Sequence, residues 1–274
     1  MKELKGKTAV VTGAGSGLGR AMALAFAREG MELALCDVDE RGLDETVSLL
    51  GASVALATRV DVSKATEVRA FSDRVKEPWL VCNNAGVSPL GAVWENTRAD
   101  WQWILGVNLW GVIHGVQAFA PRLIEQNSGH IVNTASVAGM ISPPGSGAYN
   151  VTKHAVVALS ESLYHDLRER NLAVGVSVLC PAYVPTGIID SERSRPAELK
   201  NARPLSRETE AKAAMMRKAV NSGRLSADDV ANAVVAAVKE DRFYILTHPR
   251  IKGAIQARME DILQERPPRN PLAL

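Results

Sequence analysis

The feature that most constrains this chain is a rhythm. Six times a short run rich in β-branched and other apolar residues is followed by a longer segment with apolar residues at three- and four-residue spacing. The runs are Thr8 to Thr12, Glu32 to Cys36, Ser53 to Thr58, Trp79 to Cys82, His130 to Thr134 and Ala173 to Leu179, and the segments between them include Leu18 to Glu29 and Ala65 to Val75. Runs without polar alternation read as strands covered on both faces, and strict alternation with helices makes those strands parallel. The rhythm predicts an α/β fold: a doubly wound, Rossmann-type parallel sheet with helices on both faces, in a single domain over 1–274. After Thr186 the texture changes. Residues 187–224 are polar and charge-dense and read as an insertion. A helix at Ala227 to Val238, a last strand at Phe243 to Leu246 and an amphipathic helix at Ile251 to Glu265 follow, the last ended by the PPRNP run.

Composition matters here for what it excludes. With 46% hydrophobic, 23% charged and 5% aromatic residues, the chain is neither disordered nor a disulfide scaffold. The formal net charge of +2 gives no global pull towards nucleic acid or membrane, and neither is expected as a partner. No uninterrupted apolar run approaches 18 residues, and the N-terminal apolar stretch is too short for a signal-peptide core. Cys36, Cys82 and Cys180 cannot all pair and have no C-x-x-C spacing, which suits a reducing, cytoplasmic setting. The five histidines lack ligand spacing, so no metal is expected, and they read as structural or surface groups.

The chemistry begins at the end of the first strand, in Thr12-Gly13-Ala14-Gly15-Ser16-Gly17-Leu18-Gly19. Glycines at a strand-to-helix turn let the backbone approach a pyrophosphate at the helix N-terminus. G-x-G-x-x-G fails here because Leu18 and Arg20 stand where glycine is needed, and no Walker A lysine follows. The spacing fits T-G-x-x-x-G-x-G. Asp37, after the second strand, is placed to accept hydrogen bonds from both hydroxyls of an adenosine ribose and to repel a 2′-phosphate. Asp39 is a competing carboxylate that would also suit a helix cap.

Tyr149 and Lys153 stand four apart, so on a helix they share a face. A free phenol titrates near 10, and a general base near neutrality needs a shift of about 3 units, roughly 4 kcal/mol. A neighbouring ammonium has the right sign to supply it. Ser136 ends a strand beside that face and can hydrogen-bond a substrate oxygen. Asn108, in the apolar stretch ILGVNLWGV, is a polar amide that must be bonded where it lies.

TGAGSGLG, NNAG at 83–86, Asn108, a serine 13 residues before a tyrosine, and YNVTK as Y-x-x-x-K together resemble the single-domain short-chain dehydrogenase/reductases, over about Leu4 to Thr186. The resemblance implies catalysis by Ser136, Tyr149, Lys153 and Asn108, the last through a water relay to the lysine, with a bonded core asparagine as the alternative. It implies dinucleotide contacts from Gly13, Ser16, Gly17, Leu18, Gly19 and Asp37, with Asp61 and Val62 at the adenine. Asn84, Ala85, Gly86, Tyr149 and Lys153 would follow, and Pro181, Val184 and Thr186 would meet the nicotinamide. Pro181-Ala182-Tyr183-Val184-Pro185-Thr186 resembles P-G-x-x-x-T with Ala182 in place of glycine, and the family's glycine-rich C-terminal segment is missing.

The resemblance also makes 187–224 a substrate lid. It implies pairing of Ala99 to Glu125 and Tyr149 to Arg170 across a dyad, in a homodimer or homotetramer. The cofactor expected is NAD, because NADP-preferring relatives carry a basic residue where this chain has Ser16 or Val38. The function expected is direct hydride transfer between a secondary alcohol and a ketone. A non-catalytic dinucleotide sensor or scaffold, an NADPH-dependent ketone reductase, and an epimerase or dehydratase are the alternatives. Ser136, Met140, Tyr149 and Tyr183 are the expected substrate contacts, with Val87, Pro144 and Ile188 completing a pocket for a small hydrophobic alcohol or ketone. Residues 191–224 hold nine basic against four acidic residues, so an anionic substrate tail held by lid arginines competes with a merely solvated lid.

Overall fold

The computed structural model describes residues 2–202 and 207–273. Seven parallel strands form one sheet in the order β3-β2-β1-β4-β5-β6-β7. They are β1 (Thr8–Thr12), β2 (Glu32–Asp37), β3 (Val54–Arg59), β4 (Pro78–Asn83), β5 (His130–Thr134), β6 (Gly175–Cys180) and β7 (Tyr244–Leu246). The helices are α1 (Gly17–Arg28), α2 (Glu40–Leu50), α3 (Ala65–Arg74), α4 (Arg98–Ile104), α5 (Gly111–Glu125), α6 (Gly147–Glu169), α7 (Arg207–Asn221), α8 (Ala227–Glu240) and α9 (Ile251–Leu263). This is the single doubly wound Rossmann-like domain that the alternation predicts. Each predicted strand occurs, with ends shifted by two residues or fewer.

One sequence expectation needs correction. β3 is not covered on both faces: it is the sheet edge, and all six of its residues are partly or fully exposed. β1, β4, β5 and β6 are buried throughout, because each lies between two strands and under helices on both sides. Within Arg98–Glu125 one 18-residue window reaches a mean hydropathy of 1.2, long and apolar enough to cross a membrane, and half of that window is buried inside the fold.

One core layer joins α1 and α8 to the sheet through Met22, Phe26, Leu33, Leu35, Val234 and Val238. The other joins α3, α5 and α6 through Phe71, Phe119, Leu123, Ile131, Leu167 and Val176. His130 is fully buried and structural. Its Nε2 lies 2.7 Å from Ser177 Oγ, and that hydroxyl donates to the Arg242 carbonyl at 2.6 Å. All three cysteines are free and buried.

Strand order reverses between β1 and β4, so the connections leaving these strands diverge and open a crevice at their carboxyl ends. Every chemistry-bearing motif of the sequence falls at that end.

Candidate active site

The crevice is a cleft of about 1220 Å³, larger than the roughly 300–1,000 Å³ of a pocket for one small ligand. Every residue expected at a dinucleotide lines it except Gly19. A Cβ on Gly19 would lie 1.9 Å from the Gly13 carbonyl oxygen, so this glycine lets α1 pack against the turn rather than facing a ligand. Gly13 adopts φ +69°, and a Cβ there would meet the Ala85 Cα at 2.8 Å. Glycine is therefore required where the two strand ends converge.

Several expected contacts are committed to the scaffold. Thr12 Oγ1 accepts from the Asn84 and Ala85 amides at 2.9 and 3.1 Å, and Asn84 Nδ2 donates to the Thr12 carbonyl at 3.0 Å. The Asn84 side chain thus ties β4 to β1. The Asp61 carboxylate accepts from the Ser63 amide and hydroxyl at 3.0 and 2.7 Å, holding the turn after β3. His114 Nδ1 contacts the Val62 carbonyl at 2.9 Å.

Asp37 ends β2 with its carboxylate already oriented. Oδ2 accepts from the Gly15 amide at 2.7 Å and Oδ1 from the Asp39 amide at 2.9 Å. A carboxylate has about four acceptor positions, so capacity for hydroxyl donors remains. Asp39 itself caps α2, accepting from the Gly42 amide at 3.2 Å. The missed partner here is Arg20, which donates to the Gly15 and Gly42 carbonyls and to Thr46, and so locks the glycine turn to α2. No short motif encodes that tie, because two of its acceptors are backbone carbonyls and the side chains, Thr46 and Glu45, lie 25 or more positions away.

At the other end of the cleft, Ser136, Tyr149 and Lys153 come together. Ser136 caps the short turn Val137–Gly139, accepting from the Ala138 amide at 3.1 Å and donating to the Pro181 carbonyl at 3.3 Å. Lys153 is buried, with Nζ donating to the Thr134 carbonyl at 2.8 Å and lying 5.6 Å from the Tyr149 ring centroid. Burial pushes the phenol up to about 12 despite the hydrogen bond with Ser136 that favours phenolate, and the same burial pushes the ammonium down to about 8. The ammonium has the sign that the spacing calls for, but burial dominates the tyrosine in the chain alone. In a low dielectric both groups resist charge, so the chain by itself holds a protonated phenol.

Asn108 does not face the cleft. It is fully buried in a π-helical turn, Leu105–Trp110, between α4 and α5. Its Oδ1 accepts from the Val87 amide at 2.8 Å and its Nδ2 donates to the Val87 carbonyl at 2.9 Å. These bonds fix the Asn84-to-Val87 loop beside Lys153. Met140 and Tyr183 do not line the cleft either. Met140 packs against a cluster holding Val112, Ala135 and Val156, and the Tyr183 carbonyl abuts Gly223 at the end of the 187–224 segment. Pro144 is exposed away from the cleft. Val87 and Ile188 do line it, together with Gln102, Trp103, Pro196, Leu199 and Val220, which the sequence reading missed. Gln102 and Trp103 reach the cleft because α4 leans over it, a tertiary placement with no local signal.

The 187–224 segment lies over this end as short helical turns followed by α7. Arg195 is buried: it donates to Asp100 Oδ1 at 2.5 Å, pairs with Glu192 at 3.0 Å, and its guanidinium lies 4.3 Å from the Trp103 ring centroid. Burial works to raise the Asp100 pKa, but hydrogen bonds from Arg195, Thr97 and Asn201 prevail and lower it. Arg217 pairs with Asp190 at 2.9 Å. Arg203 and the Lys212 side chain lie outside the described residues.

The sequence profile of the short chain dehydrogenases matches residues 7–197. A short chain dehydrogenase/reductase from Burkholderia phymatum, solved in complex with NAD, is 51% identical with a TM-score of 0.97, covering 100% of both chains. The CLA biosynthesis dehydrogenase/reductase of Lactiplantibacillus plantarum is 33% identical over 98% of this chain and 97% of that one. LigO from Sphingobium sp. strain SYK-6 is 31% identical with a TM-score of 0.78, covering 97% and 90%.

Proposed function

The chain belongs to the short chain dehydrogenase family of oxidoreductases, and on that premise we propose that it interconverts a secondary alcohol and its ketone with NAD as the cofactor. The observation that carries this reading is one continuous cleft, with the Asp37 carboxylate at one end and the Ser136, Tyr149 and Lys153 cluster at the other. The residues fit a dinucleotide: the turn at Gly13 has no room for a side chain, and Asp37 is presented by two backbone amides. When bound, NAD accepts or returns the hydride and carries a positive nicotinamide in its oxidised form.

Tyr149 exchanges the proton with the substrate oxygen, and Ser136 orients that oxygen. A phenol held protonated is poised to donate to a ketone. In the alcohol direction the positive charge beside it lowers its pKa. Lys153 stays mostly charged at neutral pH, sits beside the phenol, and binds the nicotinamide ribose. Ile188, Trp103 and Leu199 supply apolar walls, which suit a small hydrophobic substrate and exclude water. The 187–224 segment acts as the lid over them. The buried free cysteines suit the cytoplasm. Trp110, at the rim of the cleft, and Val151 on α6, each about half exposed, suit a homodimer or homotetramer built on those helices.

The test is a panel of secondary alcohols and ketones followed by nicotinamide absorbance with each cofactor. We expect turnover, with higher kcat/KM for NAD. Higher kcat/KM for NADP would contradict the cofactor assignment, and a folded, NAD-binding protein without turnover across the panel would contradict the enzyme assignment.

A further inference from the structure

The cations around the cleft are not equivalent. Arg41 pairs with Glu45 at 3.5 Å, and Arg195 is occupied by Asp100 and Glu192. Lys153 belongs to the catalytic end. Arg193 is different: among the described residues no carboxylate pairs with it. Its Nη1 donates to the Gly187 and Asp190 carbonyls at 2.8 and 2.9 Å, and its Nη2 lies 3.4 Å from Ser16 Oγ. Glu192, the adjacent acid, pairs with Arg195, and Asp190 gives its carboxylate to Arg217.

The position of Ser16 makes this arrangement informative. It precedes Gly17, the first residue of α1, where unpaired amides and the helix dipole favour an anion. Thr186 closes on the same turn, its Cβ 3.2 Å from where a Gly17 Cβ would stand. A guanidinium held by two neutral carbonyls keeps its full charge, and here it reaches from the lid to the glycine turn 177 residues away in sequence. We propose that Arg193 is a lid-borne phosphate clamp: it contacts the pyrophosphate of the bound dinucleotide from the side opposite the glycine turn, so that cofactor binding draws the lid shut. The inference rests on the dinucleotide reading of the cleft. It also takes Arg193 out of the basic surplus of the lid, because this arginine, free of a carboxylate among the described residues and held over the turn, faces the cofactor and not a substrate tail.

Charge-assisted contacts to phosphate are among the stronger hydrogen bonds, and a partly exposed one weakens as salt screens it. The full-length protein is titrated calorimetrically with ADP-ribose, which carries the pyrophosphate without the nicotinamide, and with NAD, at about 0.05 M and 0.5 M salt. Wild type is compared with Arg193→Ala and Arg193→Lys. Arg193→Gln is the more conservative variant, keeping donors for the two carbonyls but not the charge, and ligand-free melting temperatures show that each is folded. The alanine and glutamine variants are expected to bind both ligands about tenfold or more weakly at low salt, with the gap closing at high salt and lysine restoring most of the affinity. Unchanged ADP-ribose affinity in a folded alanine or glutamine variant would overturn the clamp, as would a loss that salt does not narrow. A wild-type protein that binds neither ligand would instead overturn the dinucleotide reading, and the clamp with it.

Discussion

Lys153 occupies a place that costs the folded chain stability. Its folded pKa is depressed to about 8 from an ordinary 10.5, a difference on the order of 3 kcal/mol. The sign follows from proton uptake: between about pH 8 and 10.5 the unfolded chain binds the proton that the folded chain does not, so stability rises with pH across that window and the penalty is complete below it. Lys153→Met should therefore be more stable than wild type at pH 7 in urea unfolding without cofactor, with the advantage shrinking towards pH 10 and turnover lost. A methionine variant less stable than wild type at pH 7 would show that the bond to the Thr134 carbonyl outweighs the buried charge. Asp37 is the second residue with a separable consequence. Asp37→Ala should narrow the ratio of kcat/KM for NAD over NADP by raising KM for NAD, since it removes hydroxyl acceptors and phosphate repulsion together. An unchanged ratio would place cofactor choice elsewhere.

At the scale of elements, α4 and the segment holding Arg195 form one unit through Asp100. This residue closes the capping box of α4, with Oδ2 accepting from the Thr97 amide at 2.8 Å, while Oδ1 holds Arg195. Removing one partner of a buried pair leaves the other charge uncompensated. Arg195→Met should accelerate hydrogen exchange at 187–199 and in the first turn of α4, while β1, β4 and β5 keep their protection. Unchanged lid exchange would show that the pair does not hold the lid. The strands were legible in the sequence because burial on both faces writes itself as an unbroken apolar run, and β3 departs from that pattern because an edge strand needs cover on one side only. The glycine turn, Asp37, and the Ser136, Tyr149 and Lys153 set were legible because backbone clearance and helical spacing are local constraints. Asp100 with Arg195 was not, since the two lie 95 positions apart and only tertiary packing brings them together. Met140 and Tyr183 stand near the chemistry in sequence but are not among the residues that line the cleft.

At the scale of the whole molecule, the reversal of strand order gathers six loops at one edge, and the two cleft ends face ligand groups of opposite need. On the proposed function the Asp37 end takes neutral hydroxyls, and the Tyr149 end takes an oxygen that must gain or lose a proton. Assembly belongs to this scale too. Trp110 and Val151 are each about half exposed, and covering both in a symmetric contact would remove apolar surface from water. Light scattering at micromolar concentration should give a dimer or tetramer, and Trp110→Glu should shift it towards monomer; a wild-type monomer would contradict this. The central claim remains that Tyr149 exchanges the proton, and Tyr149→Phe tests it most directly, since it keeps the ring and deletes the hydroxyl. With the melting temperature and NAD affinity held near wild type, kcat should fall by at least about a hundredfold. A folded, NAD-binding variant that turns over at the wild-type rate would contradict the account.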